Sequence, residues 1–230
     1  MLGKILFIGQ PEYFRDIYFD AIAQLGHEEF HINSADFSLL EQIPHIVADK
    51  KINTIIMFRP EWFSYAKDAF LKIKQMGVRA IGYSTEPIPR KKSFFNHKDL
   101  CVRYNNLKKS KELDWDLIVH FDEVSENFLR QENFDKLIVH PLPVSKVLFY
   151  PENNTEDFDF CFLGRSTERR EHFLMPLKMK YKLVHIAHGM VGEDARSIVK
   201  RSRYVINLHN EDYLNFENRV PQAIFCGKTV

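Results

Sequence analysis

Cysteine is scarce in this sequence, and no stretch of it is apolar enough to cross a membrane. The three cysteines, Cys101, Cys161 and Cys226, have no Cys-x-x-Cys spacing, and their odd number fits a reducing compartment better than a disulfide framework. The first apolar run is too short for a secretory signal, and no run approaches about 18 consecutive apolar residues. We therefore expect a cytoplasmic protein without a transmembrane segment.

A strong charge of one sign is also missing, and so is a convincing metal motif. The formal net charge of +1 gives no argument for a nucleic-acid partner. The motif DWD at Asp114–Asp116 has the letters of a D-x-D metal site, but it opens a predicted strand. There is no tandem repeat and no low-complexity tract. We expect the protein to use no metal and to bind no nucleic acid.

The composition is that of an ordinary globular protein. Hydrophobic residues make up 45% and charged residues 27% of the 230 positions, which allows a sizeable core in one large domain or two small ones. The 20 phenylalanines fall mostly at apolar positions of predicted helices and strands. Their high number therefore indicates core packing.

The first half of the chain alternates short apolar segments with helical ones. The predicted strands are Lys4–Gly9, Glu28–Asn33, Asn53–Phe58, Arg79–Ser84, Asp116–Phe121 and Lys136–His140. Pro60 takes the first position of a predicted helix that Gly77 ends, and Pro44 is expected to kink or shorten the helix between Asp36 and Asp49. Short buried strands that alternate with amphipathic helices indicate a parallel, doubly wound sheet.

Prolines interrupt this pattern near position 141, and the alternation then restarts. Residues 142–157 are therefore predicted to be a linker between an N-terminal domain, residues 1–141, and a C-terminal domain, residues 158–230. The chain ends at GKTV, within a predicted strand. The predicted fold class is α/β with two Rossmann-like domains of parallel sheets flanked by helices, the second of them incomplete.

The strand Phe158–Leu163 leads through Gly164 into a helix whose N-terminus carries three arginines: Arg165, Arg169 and Arg170. The helix dipole is already positive there, so an anion would be stabilised. Gly164 would let the backbone approach a phosphate, and Arg165 would pair with its oxygens. We favour a phosphate ligand, and the alternative is surface charge balanced by Glu168 and Glu171.

Four stretches of the second domain carry the motifs of a known family. They are a strand ending in Phe-x-Gly-Arg, a His-Gly turn, a Ser-x-x-x-x-Asn-Leu strand and an Arg-bearing last helix, matched here by Phe162, Gly164, Arg165, His188, Gly189, Ser202, Asn207, Leu208, Arg219, Ala223 and Gly227. The chain thus resembles the C-terminal domain of group 1 glycosyltransferases of the GT-B type, nearest to the CgeB-like spore maturation proteins. The family's glutamate falls on Gln222, and its partner eight residues earlier falls on Leu214.

The resemblance implies metal-independent transfer of a sugar from a nucleotide-sugar donor to a glycan or other acceptor, across a cleft between two Rossmann-like domains. The donor is a co-substrate, and no cofactor is implied. The residues implied to bind the donor are Gly164, Arg165, His188, Gly189, Asn207, Arg219 and Gln222. An amide at Gln222 can accept one hydrogen bond and donate another, but it lacks the charge-assisted strength of a glutamate.

Glu86 and His188 are the candidates for catalysis. Glu86 follows the fourth strand, where the acceptor is expected, and burial in a closing cleft would raise its pKa into the range of a general acid or base. The alternative for Glu86 is a turn residue before Pro87. His188 follows a strand on the donor side, and the alternative there is a structural histidine.

Two other functions stay open. One is a sugar-nucleotide epimerase of the same architecture, which needs acid–base groups at the sugar ring and no acceptor site. The other is a non-catalytic, glycosyltransferase-like binding protein, which Gln222 and Leu214 favour. The basic stretches Arg90–Lys92 and Leu107–Lys111 indicate an anionic acceptor, peripheral contact with a membrane surface, or a solvated loop.

Overall fold

A computed structural model describes residues 3–10, 18–33, 37–90, 98–188, 190–210 and 217–230. Within these residues all strand pairs are parallel, and the strands are β1 (Lys4–Ile8), β2 (Glu28–Ile32), β3 (Thr54–Phe58), β4 (Arg79–Ser84), β5 (Leu117–His120), β6 (Leu137–Val139), β7 (Phe158–Leu163), β8 (Leu183–Ile186) and β9 (Ser202–Val205). The α-helices are α1 (Phe19–Gln24), α2 (Ile43–Lys50), α3 (Lys67–Gln75), α4 (Lys98–Lys109), α5 (Glu126–Gln131), α6 (Glu168–Lys180), α7 (Gly192–Lys200) and α8 (Arg219–Phe225).

The chain divides into two compact units, the first formed mainly by residues up to Pro141 and the second mainly by Leu142–Val230. The first unit contains a six-stranded sheet in the order β2-β1-β3-β4-β5-β6, and the second a three-stranded sheet in the order β8-β7-β9. The predicted fold class is confirmed: both units are Rossmann-like, with parallel sheets flanked by helices. The bridge between Tyr204 and Thr229 is also parallel and lies at the predicted GKTV strand.

The core of the first unit is centred on large aromatic side chains beneath its helices. Phe63, Phe70 and Trp115 are almost completely buried, and the Phe70 and Trp115 ring centroids are 4.7 Å apart. The strand β3, TIIMF, is apolar nearly throughout, as expected for a strand covered on both faces. Each such side chain contributes roughly 1.5–3 kcal/mol by leaving water.

The predicted linker, residues 142–157, packs onto the second unit. Phe149 is fully buried in the core of that unit, with Val144 and Leu148 packed against it. Further along the segment, the carboxylate of Glu152 pairs with Arg196 and Lys200 of α7. The segment is therefore held by apolar burial and by ion pairs, which its proline-rich, polar sequence did not indicate.

The two proline predictions have different outcomes. The single helix expected from Pro60 to Gly77 is a 3-10 helix, Pro60–Tyr65, followed by the separate helix α3, because Ala66 between them has φ −132°. The α-helix at Pro44 is shortened as predicted: Phe37–Gln42 form a 3-10 helix, and α2 begins only at Ile43, with the proline in its first turn, where no backbone N–H is needed. The predicted start at Asp36 lies outside the described residues.

None of the helices in the described parts of the chain has the length and apolar character needed to cross a lipid bilayer.

Gly82 on β4 lies against Pro60 with no room for a side chain, because a Cβ at position 82 would be 2.6 Å from the Pro60 Cβ. We predict that Gly82→Ala lowers the free energy of unfolding of the first unit by about 1–3 kcal/mol, since the proline is rigid and buried. Both tryptophans, Trp62 and Trp115, belong to this unit. Urea denaturation followed by tryptophan fluorescence therefore measures the change.

Adding Pro60→Gly to this variant removes the atoms that the new methyl group meets. In the double variant, the loss in free energy of unfolding is expected to be smaller than the sum of the losses in the two single variants. Strictly additive costs would show that the contact between the two positions is not the cause of the destabilisation.

Candidate functional site

The second sheet reverses its strand order beside its central strand. From β7 the chain crosses to β8 on one side and then back over β7 to β9 on the other. In parallel sheets, ligands bind outside the carboxyl ends of the strands at such a switch point. The polar residues gathered at the ends of β7 and β9 are called here the switch-point cluster: Gly164, Arg170, Asn207, His209, Glu217 and Arg219.

Arg219 joins three parts of the chain at this point. It is 4% exposed, and its Nε donates to the carbonyl of Leu163, the last residue of β7, at 3.0 Å. Its Nη1 donates to Asn207 Oδ1 at 2.9 Å, and its Nη2 donates to Glu217 Oε2 at 2.5 Å. The guanidinium therefore links β7, the segment after β9 and the segment just before α8.

Arg170 supplies a second buried guanidinium from the first turn of α6. Its Nε donates to the carbonyl of Leu208 and its Nη1 to the carbonyl of Arg165, each at 3.1 Å, while its Nη2 lies 3.6 Å from Glu217 Oε1. Arg170 and Arg219 both lie over the ring of Phe162, at 5.3 and 5.2 Å from its centroid. The aromatic face thus stabilises both cations.

Glu217 is the carboxylate that faces both arginines. His209 Nδ1 lies 3.0 Å from Glu217 Oε1. Burial by itself would raise the pKa of Glu217, but the hydrogen bond from His209 and the positive charge of Arg219 outweigh burial and lower the pKa to about 2. Glu217 is therefore ionised at neutral pH.

The charges of the cluster do not balance. Among the residues that the structure describes, the ion pairs of Arg170 and Arg219 are both with Glu217, so two guanidiniums share one carboxylate. Burial lowers the pKa of Arg219, and the neighbouring charge of Arg170 lowers it further, against the effect of Glu217. An uncompensated buried charge is costly, and a bound anion would offset it.

Gly164 brings the end of β7 close to both guanidiniums. A Cβ on this residue would lie 3.0 Å from the ring of Phe162 and 3.2 Å from Arg219 Nη2. The N–H of Gly164 donates to the carbonyl of Ile186 at 2.9 Å, and His185 Nε2 donates to the Gly164 carbonyl at 2.8 Å. The backbone N–H expected to hold a phosphate is thus engaged in the sheet, and the glycine serves the cluster by having no side chain.

Of the residues predicted to bind a donor, Gly164, Asn207 and Arg219 lie together in the cluster. The side chain of Arg165 is exposed, and this residue enters the cluster through its carbonyl. His188 is exposed in the bend after β8, and Gln222 is half-buried one turn after Arg219 on α8. Gly189 lies outside the described residues.

Glu86, the predicted acid or base, lies in the first unit after β4. Its carboxylate is 3.2 Å from Arg103 Nε, so it faces a guanidinium rather than an apolar wall. It belongs to a polar pocket lined by Arg59, Glu61, Ser84, Thr85, Glu86, Arg103, Asn106 and Leu107. One of these lining residues, Ser84, has its Oγ 3.0 Å from Nδ1 of the fully buried His120, whose pKa burial lowers to about 3.

The DWD motif is occupied by structural ion pairs. Asp114 Oδ1 accepts from Lys136 at 2.5 Å, and Asp116 Oδ2 accepts from Lys74 and from the backbone N–H of Ala80, both at 2.6 Å. The hydrogen bond from Lys136 lowers the pKa of Asp114. Both carboxylates therefore hold β4, β5 and β6 in place. In the described parts of the chain, no group of three or more His, Cys, Asp or Glu side chains is arranged to hold a metal ion.

The basic stretch Leu107–Lys111 makes internal contacts in part. Leu107 is buried, Lys109 Nζ lies over the ring of Tyr65, and Lys111 Nζ donates to the carbonyl of Glu132 at 3.0 Å. Of the other basic stretch, Arg90–Lys92, the two lysines lie outside the described residues.

Sequence reasoning missed Glu217 and placed Arg170 on a helix terminus without its buried partners. A signal for Glu217 was present in the segment ENRV, where a carboxylate lies two residues before an arginine at the start of a helix. Its partner His209 lies eight residues upstream, which no local pattern connects to it. The pairing depends on the end of β9 meeting the start of α8.

The chain matches no protein-family model, and no curated protein is significantly similar to it.

We predict that Glu217 makes stability depend on pH in the acid range. The pKa of a glutamate carboxyl is 4.5 when unperturbed, and that of Glu217 is about 2 in the folded protein. The contribution of Glu217 to the free energy of unfolding is therefore fully present above pH 4.5 and is lost as the pH falls through 2. Glu217→Gln removes this contribution. The difference in melting temperature between the wild type and this variant, followed by circular dichroism, should therefore narrow as the pH falls.

Other carboxylates titrate in both proteins, so their effect cancels in the comparison. A difference that stays constant between pH 4.5 and the lowest pH at which both proteins fold would contradict a lowered pKa at this position.

Proposed function

We propose that the switch-point cluster binds the diphosphate of a nucleotide sugar and that the protein is a metal-independent glycosyltransferase. The observation that carries this proposal is the pair of buried guanidiniums, Arg170 and Arg219, which share the carboxylate of Glu217 at the carboxyl ends of β7 and β9. Counted over the described residues, this site has an excess of positive charge at a switch point, which suits a phosphate-bearing ligand. The resemblance of the motifs supports a sugar nucleotide as that ligand.

The cluster has the chemistry that a departing diphosphate needs. Guanidiniums present forked donors that match phosphate oxygens, and burial strengthens their interaction with charge that develops on the leaving group. The N-terminus of α6 adds the positive end of a 13-residue helix beside Gly164. Exposed Arg165 lies in the same turn, where its side chain can reach a ligand.

In the proposed reaction the bond between the sugar anomeric carbon and the diphosphate oxygen breaks, and a bond from an acceptor hydroxyl oxygen to that carbon forms. The nucleoside diphosphate leaves with the electron pair, and Arg170 and Arg219 stabilise its charge. The hydroxyl proton goes to a base, for which Glu86 is the proposed residue, while His188 and Gln222 are proposed to bind donor hydroxyls. The partners are a nucleotide sugar and a glycan-type acceptor.

A non-catalytic, sugar-nucleotide-binding protein is the second candidate. It is favoured by the three internal bonds of Arg219, which hold that side chain in place, and by the amide of Gln222 where the resembling family has a carboxylate. An epimerase would share the donor site but would act without an acceptor. Release of free nucleotide from the nucleotide sugar distinguishes the transferase from the binding protein and from the epimerase. If this release depends on an added acceptor, the reaction is transfer and not hydrolysis.

We predict that the protein binds one of the nucleoside diphosphates UDP, GDP and dTDP, measured by isothermal titration calorimetry. Arg219→Lys should weaken this binding by about tenfold or more, because lysine keeps the charge but loses the fork. Arg165→Ala should weaken it less, because an exposed arginine contributes a screened interaction.

The matched control is Arg203→Ala. Arg203 lies on β9 of the same sheet, stacked on Tyr204, and its removal also deletes one exposed arginine. Binding that is equal in the wild type and Arg219→Lys would place the ligand elsewhere. No binding of any nucleotide to the folded wild type would overturn the proposed function.

A further inference from the structure

The carboxylate of Glu217 lies where the switch-point cluster would hold a ligand's anion. One of its oxygens accepts from Arg219 Nη2 at 2.5 Å and the other lies 3.6 Å from Arg170 Nη2. These are terminal nitrogens of the two guanidiniums. The other nitrogens that bond to the chain are used to attach the arginines to the carbonyls of Leu163, Leu208 and Arg165 and to the amide of Asn207.

The two arginines are therefore anchored in two different ways. Backbone carbonyls fix their position whether or not a ligand is bound, whereas the contact with Glu217 is a contact between side chains. The Glu217 side chain is 35% exposed, while those of Arg170 and Arg219 are 8% and 5% exposed. The cations are thus fixed in the interior, and the carboxylate reaches them from the solvent side.

We propose that Glu217 is an internal substitute for the ligand's phosphate, and that a ligand binds by displacing its carboxylate from Arg170 and Arg219. The proposal rests on the proposed anion site and adds how that site is regulated. Without ligand, Glu217 offsets part of the repulsion between two buried like charges. With ligand, the phosphate oxygens take over those Nη contacts, and Glu217 turns toward solvent or keeps its bond to His209.

Competition of this kind has a definite consequence for affinity. A phosphate can contact the arginines only after their charge-assisted hydrogen bond to Glu217 has been broken. The free energy of breaking that bond therefore reduces the net binding free energy of the phosphate. Removing the negative charge of Glu217 should therefore strengthen anion binding, although it removes a side chain from the site itself. A carboxylate that only positions Arg219 for the ligand would give the opposite result.

The test is calorimetric titration of pyrophosphate into the wild type and into Glu217→Gln. We expect Glu217→Gln to bind pyrophosphate roughly tenfold to a hundredfold more tightly, which corresponds to the loss of one competing charge-assisted hydrogen bond. Glutamine keeps the size and an oxygen that can accept from His209. Glu217→Asp, which keeps the charge on a shorter side chain, should bind pyrophosphate as tightly as the wild type or up to a few-fold more tightly.

The control is Glu168→Gln, which removes one negative charge from the exposed first residue of α6, close to the cluster. It should change the affinity less than threefold, because screened surface charge has a small effect. An equal gain in Glu168→Gln would show a general charge effect and would overturn the proposal.

Weaker or unchanged pyrophosphate binding by folded Glu217→Gln, when the wild type does bind, would overturn the displacement and leave the anion site in place. Absence of pyrophosphate binding in all folded variants would overturn both the anion site and its regulation. If Glu217→Gln fails to fold, Glu217→Asp carries the test: its shorter carboxylate meets the arginines less well, so affinity below that of the wild type would contradict competition.

Discussion

The ion pair of Glu217 with Arg219, and its weaker contact with Arg170, lie where the end of β7, the end of β9 and the start of α8 converge. Each guanidinium donates to a backbone carbonyl far away in sequence, Arg219 to that of Leu163 and Arg170 to that of Leu208. Burial of these cations has an unfavourable desolvation free energy unless hydrogen bonds to the carbonyls and a nearby negative charge offset it. The position of the two arginines therefore determines both the local structure at the carboxyl edge of the second sheet and which ligands this edge can bind.

The rest of the second unit supports this arrangement. Phe162 lies beneath both guanidiniums, Gly164 leaves them room, and His185 holds the carbonyl of Gly164. On the other side of the sheet, Phe149 fills the core from the segment that precedes β7. A polar edge above a small apolar core is the general plan of ligand sites in parallel sheets.

The sequence was sufficient to predict the architecture and part of the site. Alternation of strands and helices predicted both sheets, because most of the strands are short apolar segments followed by a polar turn. Gly164, Asn207 and Arg219 were predicted since they directly follow strands or begin a helix. Arg170 and Glu217 could not be paired in advance, because 47 positions separate them and their contact depends on the pairing of β9 beside β7.

Other predictions failed for local reasons or remain predictions. The break at Ala66, where φ is −132°, is a feature of the local backbone that composition does not reveal. Glu86 remains a predicted acid or base, and the structure shows that Arg103 of α4 lies 3.2 Å from its carboxylate. The enzymatic activity, the donor and the acceptor remain proposals that follow from the cluster and from the resemblance.

The measurement that tests the central claim most directly is a crystal structure of the protein grown with UDP, GDP or dTDP, whichever binds. The account predicts phosphate oxygens within hydrogen-bonding distance of the Arg170 and Arg219 guanidiniums, beside Gly164, with the Glu217 carboxylate moved away from them. A nucleotide bound elsewhere, with Glu217 still paired to both arginines, would contradict it.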